Sequence, residues 1–210
     1  MCHHGLMAGE FLITLATPAQ VRGACNGEFL HGRREPRFAF VGRSNVGKSS
    51  LINTLMGSRL AQVSKEPGKT RSIHTYVWKD AGIVLVDLPG YGFAKTAKDE
   101  RDRWATFINE YLKADTGLRE AVVLLDSRNG PTAIDEEAIR FLHSQKIVVR
   151  AVMTKSDQMK TQSVRALRKR EVTAALALLH VTESKIHWVS SEKRDGTKAL
   201  MLALMEVSRA

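Results

Sequence analysis

Short, largely apolar segments alternate with longer amphipathic segments along this chain, and that alternation limits the fold more than any other feature. Residues 121–126 (AVVLLD) and residues 147–154 (IVVRAVMT) supply apolar side chains to both faces of a strand. Such strands must be covered on both sides, and the helices that cross between parallel strands provide that cover. The pattern therefore predicts an α/β protein of three layers, with helices on both faces of a mostly parallel sheet.

Six segments have the length and composition of strands. The predicted strands are 37–41, 74–79, 83–87, 121–126, 147–154 and 186–189. Helices are predicted after the first strand, ending near Gly57, and at 101–113, 134–145, 163–179 and 197–207. Residues 1–35 contain five glycines. We interpret them as an N-terminal extension, partly packed on a single domain formed by residues 36–210.

Composition narrows the class of protein further. The chain has 210 residues, 43% apolar and 26% charged, which suits one folded domain and excludes collagen-like, low-complexity and wholly disordered proteins. The two cysteines, Cys2 and Cys25, cannot form a disulfide framework, so a reducing, cytoplasmic setting is expected. The apolar run at 11–16 is too short to span a membrane, so no membrane insertion is expected.

The segment between the first predicted strand and its helix matches G-x-x-x-x-G-K-[ST] without a mismatch. It consists of Gly42, Arg43, Ser44, Asn45, Val46, Gly47, Lys48 and Ser49. The backbone N–H groups of such a loop point inward at a helix N-terminus and can surround a di- or triphosphate. Lys48 would reach the β- and γ-phosphates, and the Ser49 hydroxyl would bind Mg²⁺.

Two later strands end in polar tetrapeptides that bear on the choice between adenine and guanine. One tetrapeptide is Asp87, Leu88, Pro89 and Gly90, and the other is Thr154, Lys155, Ser156 and Asp157. The first places a carboxylate near Mg²⁺ and a glycine N–H near a γ-phosphate. Asp157 can accept hydrogen bonds from N1–H and N2–H₂ of guanine, an edge that adenine lacks. Each tetrapeptide is a weak signal, but three motifs in this order, each after an apolar strand, predict GTP binding.

These motifs resemble those of the P-loop GTPases of translation-factor type and, within them, the EngB/YihA/YsxC ribosome-biogenesis GTPases. The most specific strings are VGRSNVGKSSLIN at 41–53, PGKTRS at 67–72, DLPGYGFA at 87–94, TKSD at 154–157 and VSS at 189–191. The resemblance covers about residues 10–207. It implies a three-layer P-loop GTPase domain, whose mostly parallel sheet has six strands, one of them antiparallel.

The resemblance also implies roles that spacing alone does not assign. The first switch would comprise Gly68, Lys69, Thr70, Arg71 and Ser72, and the last guanine motif Val189, Ser190 and Ser191. Thr70 matches a Mg²⁺ ligand, although Thr75 is equally eligible from the sequence alone. Lys48, Thr70 and Gly90 are the implied catalytic residues, and Asp87 would bind Mg²⁺ through water. Asn45 matches an asparagine that some relatives use with K⁺.

Tyr91 departs from the pattern of many GTPases, which place a water-orienting glutamine after the D-x-x-G motif. A phenol is not expected to orient water in the same way, so intrinsic hydrolysis should be slow. Arg43, Lys69 and Arg71 lie close to the phosphate loops in the sequence. They are either contributors to catalysis or solvated loop charges.

The resemblance implies a GTP switch that acts in assembly of the large ribosomal subunit and is needed for normal cell division and septation. We also expect contact with rRNA and a monomeric state. Two alternatives remain at this stage. One is a GTP-dependent interaction module that acts directly on septation or membrane partners. The other is a P-loop ATPase or kinase, in which the TKSD string would be a chance turn.

Positive charge is concentrated in the last third of the chain. The net charge is +10, and residues 140–210 contain 14 Lys and Arg against 6 Asp and Glu. On the helix at 163–179, the period predicts Val164, Leu167, Ala175 and Leu179 against the sheet. Arg165, Arg168 and Lys169 would then share the opposite side. This face is either an rRNA-binding surface or an ordinary solvated face.

Overall fold

The computed structural model describes residues 9–26, 30, 33–61, 72–91 and 98–209. The strands are β1 (Gly9–Leu15), β2 (Arg37–Gly42), β3 (Ile73–Trp78), β4 (Ile83–Asp87), β5 (Leu118–Asp126), β6 (Val148–Thr154) and β7 (Ile186–Trp188). The α-helices are α1 (Pro18–Asn26), α2 (Lys48–Met56), α3 (Lys98–Ala114), α4 (Ala133–Ser144), α5 (Gln162–Ala177) and α6 (Thr197–Arg209). The predicted alternation of strands and helices is confirmed.

All seven strands form one sheet in the order β1-β3-β4-β2-β5-β6-β7. Strand β3 pairs antiparallel with both β1 and β4, whereas the pairs β2–β4, β2–β5, β5–β6 and β6–β7 are parallel. The predicted fold class, with one antiparallel strand, is therefore confirmed. The sheet has seven strands rather than six because the N-terminal segment contributes β1, which the sequence reading treated as part of an extension.

Two apolar clusters fill the faces of the sheet and show how the helices are layered. One cluster takes side chains from α1, α3, α4 and α5, for example Val21, Tyr111, Ile139 and Leu176. The other takes Leu51 and Ile52 of α2 and Leu200 and Leu204 of α6. Trp78 and Phe107 are buried in these cores. Among the described residues, no helix is long and apolar enough to cross a membrane.

The predicted rotation of α5 is wrong at its N-terminal end. Val164 and Leu167, which the period placed against the sheet, are 50% and 58% exposed. Val172, Leu176 and Leu179 are buried and belong to the apolar cluster. These three positions fix the rotation of the helix, and at about 100° per residue they turn Val164 and Leu167 toward solvent.

The same rotation changes the position of the basic residues on α5. Arg165 is half-buried, and its Nε donates a hydrogen bond to the Met159 carbonyl at 2.9 Å. Arg168 is also half-buried and pairs with Glu171 at 3.0 Å. Lys169 is exposed. The three side chains therefore do not form the single solvent-facing group that the sequence predicted.

A buried ion pair holds the first residue of β2. Arg37 Nε donates to Asp115 Oδ1 at 2.5 Å, and the Tyr111 hydroxyl donates to the other carboxylate oxygen. The Arg37 and Asp115 side chains are 3% and 0% exposed. Asp115 thereby balances a charge that the interior could not otherwise hold.

We expect Asp115→Ala to lower the free energy of unfolding by about 3–5 kcal/mol, because it leaves the Arg37 guanidinium buried without a counter-charge. Urea unfolding followed by circular dichroism measures this change. Asp80→Ala, at an exposed turn, is the matched control and should change stability by less than about 0.5 kcal/mol. Equal losses in the two variants would contradict the importance of the buried pair.

Candidate nucleotide site

The carboxyl ends of β2, β4, β5 and β6 meet at one edge of the sheet, because these four strands run parallel. The predicted phosphate loop at 42–49 leaves β2 there, Asp87 ends β4, and the TKSD string begins at the last residue of β6. The structure therefore brings the three predicted motifs together. Clefts at this edge are the usual ligand sites of open α/β sheets.

The phosphate loop has the backbone that its glycines predict. Gly47 has φ 106° and caps α2, and Asn45 is also left-handed, with φ 62°. A Cβ at Gly42 would lie 2.8 Å from Val46 Cγ1 and 3.1 Å from Leu124 Cβ, so a larger residue cannot be accommodated without a shift. The loop therefore turns sharply from β2 into the N-terminus of α2, where backbone N–H groups favour an anion.

Lys48 and Asp87, the predicted phosphate lysine and Mg²⁺ carboxylate, form an ion pair in the structure. Their side chains are only 10% and 4% exposed. Asp87 ends β4 and Lys48 begins α2, so the pair joins the two segments that a bound triphosphate would contact. Each charge is balanced by the other.

The predicted guanine motif, the TKSD string at residues 154–157, is hydrogen-bonded directly to the phosphate loop. Thr154 Oγ1 donates to the Val46 carbonyl at 2.7 Å and is also 3.1 Å from the Leu125 carbonyl. Lys155 Nζ donates to the Asn45 carbonyl at 2.9 Å. Thr154 and Lys155 thus position one loop on the other, and Asp157 lies half-buried just beyond them.

Asp126 is a residue of this edge that the sequence reading missed. It ends β5, and its Oδ2 accepts a hydrogen bond from Lys155 Nζ at 3.0 Å, while Arg128 binds both carboxylate oxygens. Burial alone would raise the pKa of Asp126, but the hydrogen bonds from Arg128 and Lys155 hold it well below its usual value. The available signal was an acidic residue at the carboxyl end of a buried strand.

The last guanine motif packs beside the TKSD loop. Ser156 N–H donates to the Val189 carbonyl at 3.1 Å, and Val189 N–H donates to the Met153 carbonyl at 2.8 Å. Ser190 is buried, and its N–H donates to the Asp195 carbonyl at 3.0 Å. The structure therefore brings 189–191 to the same edge as 154–157.

The first switch is only partly described. Gly68, Lys69, Thr70 and Arg71 lie outside the described residues, whereas Ser72 directly precedes β3. Thr75 lies within β3, buried between Ile73 and Val77, which belong to the cluster on the face opposite α2. Its hydroxyl donates to the Ile13 carbonyl of β1 at 3.3 Å. Thr75 is therefore not placed to bind a Mg²⁺ ion beside Ser49.

Tyr91 and Arg43 meet at one buried carboxylate. The Tyr91 hydroxyl donates to Asp135 Oδ1 at 2.9 Å, and Arg43 Nε lies 3.2 Å from the same oxygen. Burial, reinforced by Asp135, raises the pKa of Tyr91 well above its usual value. The Arg43 guanidinium is therefore paired with a carboxylate of α4, and the Tyr91 hydroxyl donates to the same buried carboxylate.

Comparison with known proteins decides the family. Residues 37–155 match the family model described as 50S ribosome-binding GTPase. The chain is 36% identical over 199 residues to the probable GTP-binding protein EngB of Chelativorans sp.. The aligned region covers 90% of this chain and 88% of that relative. The chain belongs to the EngB family of GTP-binding GTPases. The predicted resemblance is confirmed, and the chain is a GTPase.

Other EngB matches are consistent with this assignment. The probable EngB of Oleidesulfovibrio alaskensis is 47% identical over 137 residues, covering 65% of this chain and 62% of that relative, less than two thirds of its length. A crystal structure of a probable GTP-binding protein engB superposes with a TM-score of 0.63 at 28% identity, covering 82% of this chain and 98% of that one. Era from Aquifex aeolicus, at 20% identity and a TM-score of 0.64, covers 83% of this chain and 57% of that one; it shares the fold.

Gly196 packs closely against β7 beside the predicted last guanine motif, because a Cβ there would lie 2.0 Å from the Trp188 carbonyl oxygen. We expect Gly196→Ala to push the 189–195 loop away from β7 and to weaken GDP binding by about tenfold. Gly82→Ala is a matched control, since Gly82 has nearly the same φ, 63° against 68°, and nothing lies within 4 Å of its Cβ position.

Both variants share the cost of a left-handed alanine, about 1–2 kcal/mol. Calorimetric titration with GDP and thermal unfolding separate that shared cost from the effect on the site. If the two variants bind GDP equally well, Gly196 does not shape the guanine side.

Proposed function

We propose that this EngB-family protein is a GTP switch with slow intrinsic hydrolysis that binds the large ribosomal subunit during its assembly. The observation that carries the nucleotide part is the convergence of the phosphate loop, Asp87 and the TKSD loop at one sheet edge. The ribosomal part is supported by the family, which is described as a 50S ribosome-binding GTPase. A role in cell division and septation stays a prediction of that family membership.

The proposed binding mode follows the positions of the loops. The N–H groups of residues 42–49 and the Lys48 ammonium would hold the phosphates, and Asp157 would accept from the guanine N1–H and N2–H₂ groups. The backbone of Ser190 and Ser191 would lie beside the base. Because Lys48 pairs with Asp87, bound phosphates would meet an ammonium that already has a carboxylate partner.

The residues at the phosphate end also fit Mg²⁺. Ser49 and Asp87 offer hydroxyl and carboxylate oxygens, which are the donors that Mg²⁺ prefers, and Thr70 is the further proposed ligand. The described residues contain no group of three or more His, Cys, Asp or Glu that could hold a metal alone. Phosphate oxygens would therefore share the coordination, and bound Mg²⁺ would neutralise charge on the transferring phosphoryl group.

A monovalent cation is a further proposal at the same loop. Asn45 is exposed, and its backbone carbonyl is fixed by Lys155. Its side-chain amide could therefore contribute an oxygen to a K⁺ ion beside the phosphates, as the family resemblance suggests. Hydrolysis rates in KCl against NaCl test this proposal, and equal rates would contradict it.

Slow hydrolysis is supported by two side chains beside the phosphate loop, Tyr91 and Arg43, which already contact Asp135. The Tyr91 phenol is bound to Asp135 and is therefore not directed at an attacking water, and Arg43 is held by the same carboxylate. Transition-state charge then lacks an arginine from the phosphate loop, and a partner is expected to raise the rate. A fast rate for the isolated protein would contradict this account.

Guanine selectivity is tested at Asp157. For the wild-type protein, a 1,000-fold excess of ATP should not displace labelled GDP. Asp157→Ala should weaken GDP binding by about 100-fold, because two hydrogen bonds to a charged acceptor are lost. Gln158→Ala, at the exposed neighbouring position, is the control. Displacement of GDP by ATP from the wild-type protein would favour the ATPase or kinase alternative.

The basic surface that the structure offers differs from the predicted one. Lys169 Nζ lies 6.0 Å above the ring of Trp188, which is half-buried on the edge strand β7. Arg170, Lys193 and Arg194 are exposed, and residues 189 and 190 separate the turn at 191–194 from β7. We call Lys169, Arg170, Trp188, Lys193 and Arg194 the β7-edge surface. Its cations suit rRNA phosphates, and its indole adds a face for stacking.

We expect the double variant Lys169→Glu, Arg170→Glu to weaken sedimentation with 50S particles and to lower the slope of log affinity against log salt by about 1.4–1.8, since two phosphate contacts are lost. GTP affinity should be unchanged. Lys79→Glu, Lys113→Glu, at exposed positions outside this surface, is the charge-matched control. Unchanged salt dependence would exclude these residues as phosphate contacts, and absence of 50S binding in both nucleotide states would contradict the ribosomal proposal.

A further inference from the structure

Tyr91 is attached to the phosphate loop through its backbone. Tyr91 N–H donates to the Gly42 carbonyl at 3.3 Å, and Ser44 N–H donates to the Tyr91 carbonyl at 3.3 Å. These bonds extend the parallel pairing of β2 with β4 beyond both strands. The residue after the D-x-x-G motif is therefore placed by the same ladder that places the phosphate loop.

Gly90 is packed closely as a result. A Cβ at Gly90 would lie 3.1 Å from Ser44 Oγ, 3.2 Å from Ser44 N and 3.3 Å from the Gly42 carbonyl. The Gly90 backbone therefore lies directly against the phosphate loop. Two backbone hydrogen bonds of Tyr91, one made by its N–H and one by its carbonyl, hold Gly90 in this position.

The Tyr91 side chain fixes this arrangement from the other side. Its hydroxyl reaches Asp135, which is fully buried in the first turn of α4, and Asp135 Oδ2 also accepts from Thr132 N–H and Thr132 Oγ1 at 2.9 and 2.7 Å. The carboxylate is thus held by its own helix terminus. Because the pKa of Tyr91 is raised by burial, the phenol remains a donor throughout the physiological range.

We propose that Tyr91 is a positioning residue that holds the Gly90 N–H against the phosphate loop for a γ-phosphate, with the Asp135 carboxylate as its anchor. Where many GTPases have a water-orienting side chain, this chain has a phenol that is hydrogen-bonded to Asp135 of α4. We call this hydrogen bond the tether. The inference rests on the GTP switch proposed above and on the expectation from the sequence that the Gly90 N–H lies near the γ-phosphate. GDP has no γ-phosphate, so the tether must favour GTP over GDP.

Tyr91→Phe tests the tether, because it removes one oxygen atom and keeps the ring. The chain provides a matched control in Tyr111→Phe. Tyr111 is a second buried tyrosine that donates to an aspartate, Asp115, which is likewise paired with an arginine. It lies near the start of β2, at the end of the strand away from the phosphate loop.

The measurements are the affinities for GDP and for a non-hydrolysable GTP analogue, and the single-turnover rate of GTP hydrolysis. We expect Tyr91→Phe to lower analogue affinity about five- to tenfold, to leave GDP affinity within about twofold, and to slow hydrolysis. Tyr111→Phe should change neither the ratio of the two affinities nor the rate.

Equal loss of GDP and analogue binding in Tyr91→Phe would overturn the proposal, because a general loss of structure moves both. An unchanged affinity ratio would also overturn it. If the wild-type protein binds neither nucleotide, the proposed switch itself fails, and that result is distinct from both of the others.

Discussion

The parallel pairing of β2 with β4 and β5 is the constraint on which the rest of the structure depends. It aligns Phe40 with Asp87 and Gly42 with Leu124, and the next pair aligns Asp126 with Thr154. Segments far apart in the sequence therefore end at one edge of the sheet. The pairing of these buried apolar strands fixes where each strand ends, and it therefore also fixes the positions of the polar residues that follow each strand.

The sequence predicted the features that depend on short-range pattern. Strand and helix order and the turn at the phosphate loop each have a local signal and are present in the structure, which also places the predicted guanine motif at the same edge of the sheet. The rotation of α5, the strand β1, and the roles of Asp126 and Asp135 depend on partners distant in sequence. The rotation of α5 buries three apolar residues and leaves two others exposed. The sequence period alone does not tell which of the five face the sheet, because that depends on tertiary contacts.

The predicted ligand-binding side chains already have partners within the protein. Lys48 pairs with Asp87, and Lys155 binds the Asn45 carbonyl and Asp126. A phosphate that binds Lys48 therefore meets an ammonium that already has a partner, so the net free energy of that contact is smaller than for an unpaired ammonium. The Lys155 contacts, by contrast, hold the two loops together. Thr154 and Lys155 strengthen the connection between two loops, so we expect phosphate and guanine recognition to be coupled.

The strand β2 is held at both ends by an arginine, an aspartate and a tyrosine. Arg37 at its first residue pairs with Asp115, and Arg43, just past its last residue, pairs with Asp135. A slip of the strand by one residue would break both pairs and would move the phosphate loop by about 3.3 Å, as well as turning Phe38 and Phe40 to the opposite face. These two ion pairs, one buried on both sides and the other with a buried carboxylate, therefore set the position of β2 along the sheet and, with it, the position of the phosphate loop.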